Sequence, residues 1–122
     1  MYPCVCCGHL TFSEPPGSYL LCPICDWEDD AIQLRWPTMS GGANSLSLVH
    51  AQASYREFGW SDSRSNTRVR PLTDDEIIEA GWRPIEKERD RLESEVLSAE
   101  VEWPVDLTTL YWWRPTYWRR VQ

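Results

Sequence analysis

Cys4-Val5-Cys6-Cys7-Gly8 and Cys22-Pro23-Ile24-Cys25-Asp26 are the two stretches on which the reading of this chain turns. Each holds a C-x-x-C pair, Cys4/Cys7 and Cys22/Cys25. Two residues between thiolates let a tight turn aim both sulfurs at one point. Two such turns facing each other supply four ligands in the tetrahedral arrangement zinc prefers, with Zn–S near ~2.3 Å. Gly8 suits the positive φ that such a turn needs, and Pro23 pre-sets φ in the second turn. The residues between the pairs, Gly8 to Leu21, suffice for a short hairpin that brings them together. Cys4, Cys7, Cys22 and Cys25 are therefore the predicted metal ligands, with zinc as the cofactor.

Other uses of cysteine fit less well. Five cysteines is an odd number for a disulfide framework, and Met1-Tyr2-Pro3-Cys4 has neither the basic segment nor the apolar run of a signal peptide. A reducing, cytoplasmic setting is the expectation. A redox C-x-x-C usually occurs singly, whereas here two matched pairs lie close together. Cys6 falls outside the tetrahedral count. It is read as a buried small apolar residue, with an alternative ligand or a reactive thiol as the other readings. His9 and His50 offer imidazoles that can replace a cysteine at zinc, but four spaced cysteines leave them as surface or capping groups.

Working outward, His9 to Ser13 reads as a strand, Glu14-Pro15-Pro16-Gly17 as a turn, and Ser18 to Leu21 as the returning strand. Leu10, Phe12, Tyr19 and Leu21 are available to pack. Asp26-Trp27-Glu28-Asp29-Asp30 lacks the ligand spacing of a calcium loop and is read as a solvated acidic rim, with Trp27 packed on the metal module. Gly41-Gly42-Ala43-Asn44 is a flexible connector. Ser47 is an N-cap, Leu48, Ala51, Tyr55 and Phe58 recur at helical spacing, and Gly59 is the stop, which predicts a helix over Leu48 to Phe58.

Ser61 to Asn66 is polar turn material and marks a boundary between residues 1–60, the zinc-binding module, and residues 61–122, a helical extension. Thr73-Asp74-Asp75-Glu76 is a capping box that predicts a helix to about Ala80, closed by Gly81. Pro84 opens a second helix to about Ala99, with Ile85, Leu92, Val96 and Ala99 on one stripe. Leu110 to Arg120 interleaves aromatics with arginine. It is read as a strand or extended tail that docks tryptophans into the core, with an interaction surface as the second reading. The fold class is thus small α+β: a zinc-ribbon or rubredoxin-knuckle β-hairpin covered by a helix, then a helical segment and an aromatic tail.

The first half resembles the bacterial cysteine-rich CPCC family. Tyr2-Pro3-Cys4-Val5-Cys6-Cys7-Gly8, Glu14 to Tyr19 and Cys22-Pro23-Ile24-Cys25 carry the likeness. So do Trp27 to Asp30, Gln33-Leu34-Arg35, Gly41 to Asn44, Ser47-Leu48, Tyr55 and Phe58-Gly59, so that it spans residues 2–59. The resemblance implies a zinc-ribbon or rubredoxin-knuckle fold with Cys4, Cys7, Cys22 and Cys25 as ligands. Some members resemble genes placed beside toxins, which implies an immunity role. Val5 departs from the proline in the family's name, and His50 stands where family helices often carry an acidic residue.

Formal charge is −7, with eleven arginines against the single lysine Lys87. That balance disfavours phosphate-backbone binding and favours a basic partner. No stretch approaches the length of a transmembrane helix. The expected function is an intracellular structural-zinc module that binds a protein, such as an immunity protein that neutralises a basic, nuclease-type toxin. Glu28, Asp29, Asp30, Trp112, Trp113, Arg114 and Trp118 are the candidate contacts. A nucleic-acid-binding zinc ribbon using Trp112, Trp113, Arg114, Trp118, Arg119 and Arg120 is the alternative, and a redox thiol at Cys6 ranks third. No catalytic role is expected, because four thiolates close the zinc shell and no nucleophile–base motif is present.

Overall fold

A computed structural model describes residues 1–62, 70–74, 76–93 and 102–119. The first C-x-x-C turn is clasped between β1 (Tyr2–Pro3) and β2 (Leu10–Phe12), antiparallel neighbours with Tyr2 opposite Phe12 and Pro3 opposite Leu10. The second turn has a clasp of its own. Tyr19 N donates to Asp29 O, Asp29 N donates to Leu20 O, both at 2.9 Å, and Leu21 bridges Glu28. The strand expected from Ser18 to Leu21 therefore pairs with the residues after Cys25 instead of returning on Leu10–Phe12. Tyr19 and Leu21 consequently stay exposed, while Phe12 is buried.

Two helices follow. Asp30 caps α1 (Ala31–Arg35), its Oδ1 accepting from Ile32 N and Gln33 N. Ser47 caps α2 (Leu48–Phe58) through His50 N, and Gly59 ends it at φ 88° with its N–H on Tyr55 O. The bounds and caps of α2 are those expected from local sequence, because each signal acts within one turn; α1 and its Asp30 cap were not anticipated. Leu48 and Ala51 face the core, whereas Phe58 is exposed. The loop between the helices is pinned. Gln33, fully buried, donates through Nε2 to Met39 O, Asn44 O and Leu46 O and accepts from Asn44 N and Nδ2. The Gly41–Asn44 connector is thus held on both sides by side-chain amides.

The two helices expected after residue 70 are absent from the described residues. The Glu76 carboxylate accepts from Thr73 N, one half of a capping box, and from Thr73 Oγ1, while Glu76 N donates to the Thr73 carbonyl and not to its hydroxyl; together they close a single turn. Beyond it Leu10 N donates to Ile77 O and Glu79 N to Gly8 O, and Ile78 bridges His9. Two β-branched residues at the edge of an available strand favour this pairing over helix. Between Pro84 and Glu93 the backbone makes one turn, Glu86 to Asp90. Ile85 N is satisfied by Gln52 Oε1, and Asp90 receives Arg83 on both carboxylate oxygens and Glu86 N. Of these partners only Gln52 is distant in sequence, and its bond to Ile85 N, together with the local Arg83–Asp90 pair, favours this path over a charge-rich local helix. The part of that expected helix over 94–99 lies outside the described residues.

Among the described residues the aromatic tail is a 3₁₀ turn (Leu107–Leu110) followed by further turns, not a strand, and Arg120 lies outside them. It does dock: Tyr111 and Trp112 are buried and join one core with Cys4, Phe12, Trp27, Leu48 and Ile85. Arg35 ties both halves together. Its guanidinium lies 4.6 Å from the Trp36 ring, 4.7 Å from Trp103 and 4.8 Å from Trp118, and its Nε donates to Glu93 at 2.8 Å. Nη1 has no hydrogen-bond acceptor among the described residues; the aromatic faces around it supply the attraction instead.

Three outcomes follow from this packing. A Cβ on Gly8, at φ 83°, would overlap the Trp82 indole, whereas one on Gly59 at φ 88° would meet open space. Gly8→Ala is expected to cost about 2–4 kcal/mol, and Gly59→Ala about 1; equal losses in urea unfolding would remove Trp82 from the first turn. Arg35→Ala, which leaves Glu93 with an unpaired charge, should lose about 3–5 kcal/mol, and Arg35→Lys should recover only a minor part because it lacks the planar fork. Hydrogen bonding from Arg114 holds the Glu79 carboxyl below its ordinary value of 4.5. Its stabilising contribution is therefore present above that value and lost as pH falls through the folded pKa. Glu79→Gln should flatten this part of the acid limb of a stability profile.

Candidate metal centre

The two turns are built alike. Gly8 N donates to Cys4 O at 2.6 Å and Asp26 N to Cys22 O at 2.8 Å; Cys4 N donates to His9 O at 2.8 Å and Cys22 N to Trp27 O at 2.9 Å. The residue after each second cysteine takes positive φ, 83° at Gly8 and 68° at Asp26. Glycine adopts it freely, and Asp is one of the few other residues that tolerates it. In each case this reversal closes the loop over its two sulfurs.

Face to face, the turns bring Cys4, Cys7, Cys22 and Cys25 together, with all four Sγ atoms within 4.8 Å of one another. The closest approaches cross between turns: Cys4 to Cys25 at 3.6 Å and Cys7 to Cys22 at 3.8 Å. Four sulfurs at ~2.3 Å from a common tetrahedral centre lie ~3.8 Å apart, so the donor set fits a metal ion. No disulfide is present. All four thiols are at most 1 % exposed. Burial pushes the Cys4 and Cys25 thiols up, while hydrogen bonding from Cys25, Cys4 and Cys7 pulls Cys22 down. Four thiolates at this spacing need a cation to offset burial and mutual repulsion.

Cys6 is buried and stands outside the four-sulfur group. His9 is buried too, its pKa lowered by desolvation, and is not in the sulfur group either; His50 is exposed.

Two contributors were not anticipated. Thr11 Oγ1 approaches Cys22 Sγ at 3.5 Å from β2. Gln52, buried on α2, donates to Val5 O and accepts from Ile85 N, both at 3.0 Å, so it fastens the first turn to the chain's second half. Its position one turn beyond Leu48, on the apolar face, was the available signal: a polar residue there has a buried partner to satisfy.

The acidic segment is not a solvated rim. Asp26, Asp29 and Asp30 are 6 %, 5 % and 4 % exposed. Asp29 accepts from Ser18 Oγ and N, and Asp30 spends its oxygens on the α1 cap and Ala43 N. Glu28 is half-buried, its backbone paired with the Asn44 amide. Trp27 packs inside, as expected. In the tail, Trp112 is interior with Nε1 on Arg83 O, and Arg114 is paired with Glu79. Trp113 and Trp118 are half-buried. Burial thus removes Asp29, Asp30 and Trp112 from the expected contact surface.

Among the described residues no helix is long and apolar enough to cross a membrane. No curated protein matches the sequence. The family model of the cysteine-rich CPCC proteins matches residues 2–76, more than half of the 122-residue chain and beyond the stretch ending at Gly59, and the protein belongs to this family.

Proposed function

We propose that the protein is a zinc-stapled binding module, with zinc held by Cys4, Cys7, Cys22 and Cys25. The observation that carries this reading is the closed, buried four-sulfur cluster. Four protein ligands leave zinc no open position for water or substrate, so the metal supplies folding energy and the surface supplies function. The net charge of −7 supports a basic protein partner, and capture of a nuclease-type toxin in a reducing compartment is the specific form of this reading. Co-expression with a toxin encoded beside the gene tests it. Protection and a stable complex are expected; cells left unprotected and no complex would sink the toxin reading while leaving the zinc reading intact.

Metal analysis should find about one zinc per chain. An iron-loaded site would instead announce itself by strong visible absorbance. Cys22→Ser should lose the metal and loosen the N-terminal half, as should chelation. Cys6→Ser should keep full stoichiometry; loss of metal from that variant would overturn the ligand assignment.

A further inference from the structure

On this acidic protein one cleft carries the opposite charge. It has a volume of about 410 Å³ and lies between the turn at residues 83–91 and the aromatic tail. Half-buried Trp113 and Tyr117 line its walls with Trp112, 2 % exposed, as its floor, and the polar handle of each is already used. Trp112 Nε1 donates to Arg83 O at 3.1 Å, Trp113 Nε1 to Glu79 Oε2 at 2.5 Å, and Tyr117 Oη to Arg91 O at 2.7 Å. Trp113 is further fixed by stacking on Tyr111 at 4.8 Å between centroids. The aromatic side of the cleft is therefore held in place and offers ring surface in place of hydrogen-bond donors.

The rim is cationic. Arg83 and Asp90 neutralise each other, with both carboxylate oxygens bound. Arg89 and Arg91 are exposed. The contact from Arg89 to Glu86 is 3.5 Å long with both side chains more than half exposed, an arrangement that contributes little. The Arg91 guanidinium has no ion-pair partner among the described residues. An anion alone would leave the aromatic lining uncovered, and a neutral ring would leave the arginines unused. We propose that this cleft binds a nucleotide, its base against the aromatic lining and its phosphate at Arg89 and Arg91. The nucleotide is either free or part of a single strand. Planar bases stack on aromatic side chains without regard to sequence, and arginine matches phosphate geometry. The volume lies in the range of small-molecule sites. This inference is independent of the toxin reading.

The metal-loaded full chain is titrated with a nucleoside monophosphate, the matching nucleoside, inorganic phosphate and a short single-stranded oligonucleotide. Tryptophan fluorescence and the Trp112 and Trp113 indole N–H resonances are followed. Saturable nucleotide binding is expected, weakened about tenfold or more by removal of the phosphate or by added salt. Arg89→Ala/Arg91→Ala should weaken it to a similar degree with metal content and circular dichroism unchanged, while Arg56→Ala on α2 should leave it intact. Tighter binding of the oligonucleotide than of the mononucleotide assigns the cleft to single strands; equal or weaker binding assigns it to free nucleotides. Absence of saturable binding by any nucleotide probe would overturn the proposal. So would inorganic phosphate matching the nucleotide, or undiminished binding by the double variant.

Discussion

Convergence of four sulfurs on one point is the constraint from which the rest of the structure is arranged. Closing each turn over its sulfurs requires a left-handed residue after the second cysteine, which Gly8 and Asp26 supply. It also requires the flanking backbone to run antiparallel, and both turns meet this with short ladders of their own. A metal ion held at the centre would offset the cost of burying four thiolates. Strands of two and three residues gain little from sheet formation by themselves. They persist because the turns they flank are fixed by the cluster.

Around that centre the second half of the chain completes the core instead of forming a separate unit. Residues 77–79 extend the β1–β2 pairing, Gln52 joins Val5 to Ile85, and Arg35 brings Glu93, Trp103 and Trp118 onto α1. These links are polar and specific, so they select one arrangement of apolar residues among the many a tryptophan-rich chain permits. The buried carboxylates act in the same way: Asp29 and Asp30 organise the loops around the second turn. An acidic run that looks solvated in one dimension is internal scaffolding in three.

The placement of charge bears on function. The four sulfurs are enclosed, and part of the acidic run is consumed by the fold. The surface combines a net negative charge with a cleft rimmed by arginines. The cleft exists because the tail turns back on the 83–91 segment, and the same hydrogen bonds that dock the tail hold its aromatic lining. The residues that dock the tail are therefore the same ones that shape the cleft.

The ligand set and α2 were legible in the sequence because their signals are local. C-x-x-C spacing defines a turn, and Ser47 and Gly59 cap a helix within one turn of its ends. The hairpin partners were not legible, since Ser18 to Leu21 has the same alternation whether it pairs with Leu10–Phe12 or with the residues after Cys25. The expected helices after residue 70 satisfied local rules, but Ile77, Glu79 and Ile85 gave their backbone groups to distant partners. Local chemistry by itself determined where the sulfurs and α2 would be. Only the tertiary structure decided which strands pair, which carboxylates are buried and where a cationic cleft opens, because each depends on groups far apart in sequence competing for the same hydrogen bonds.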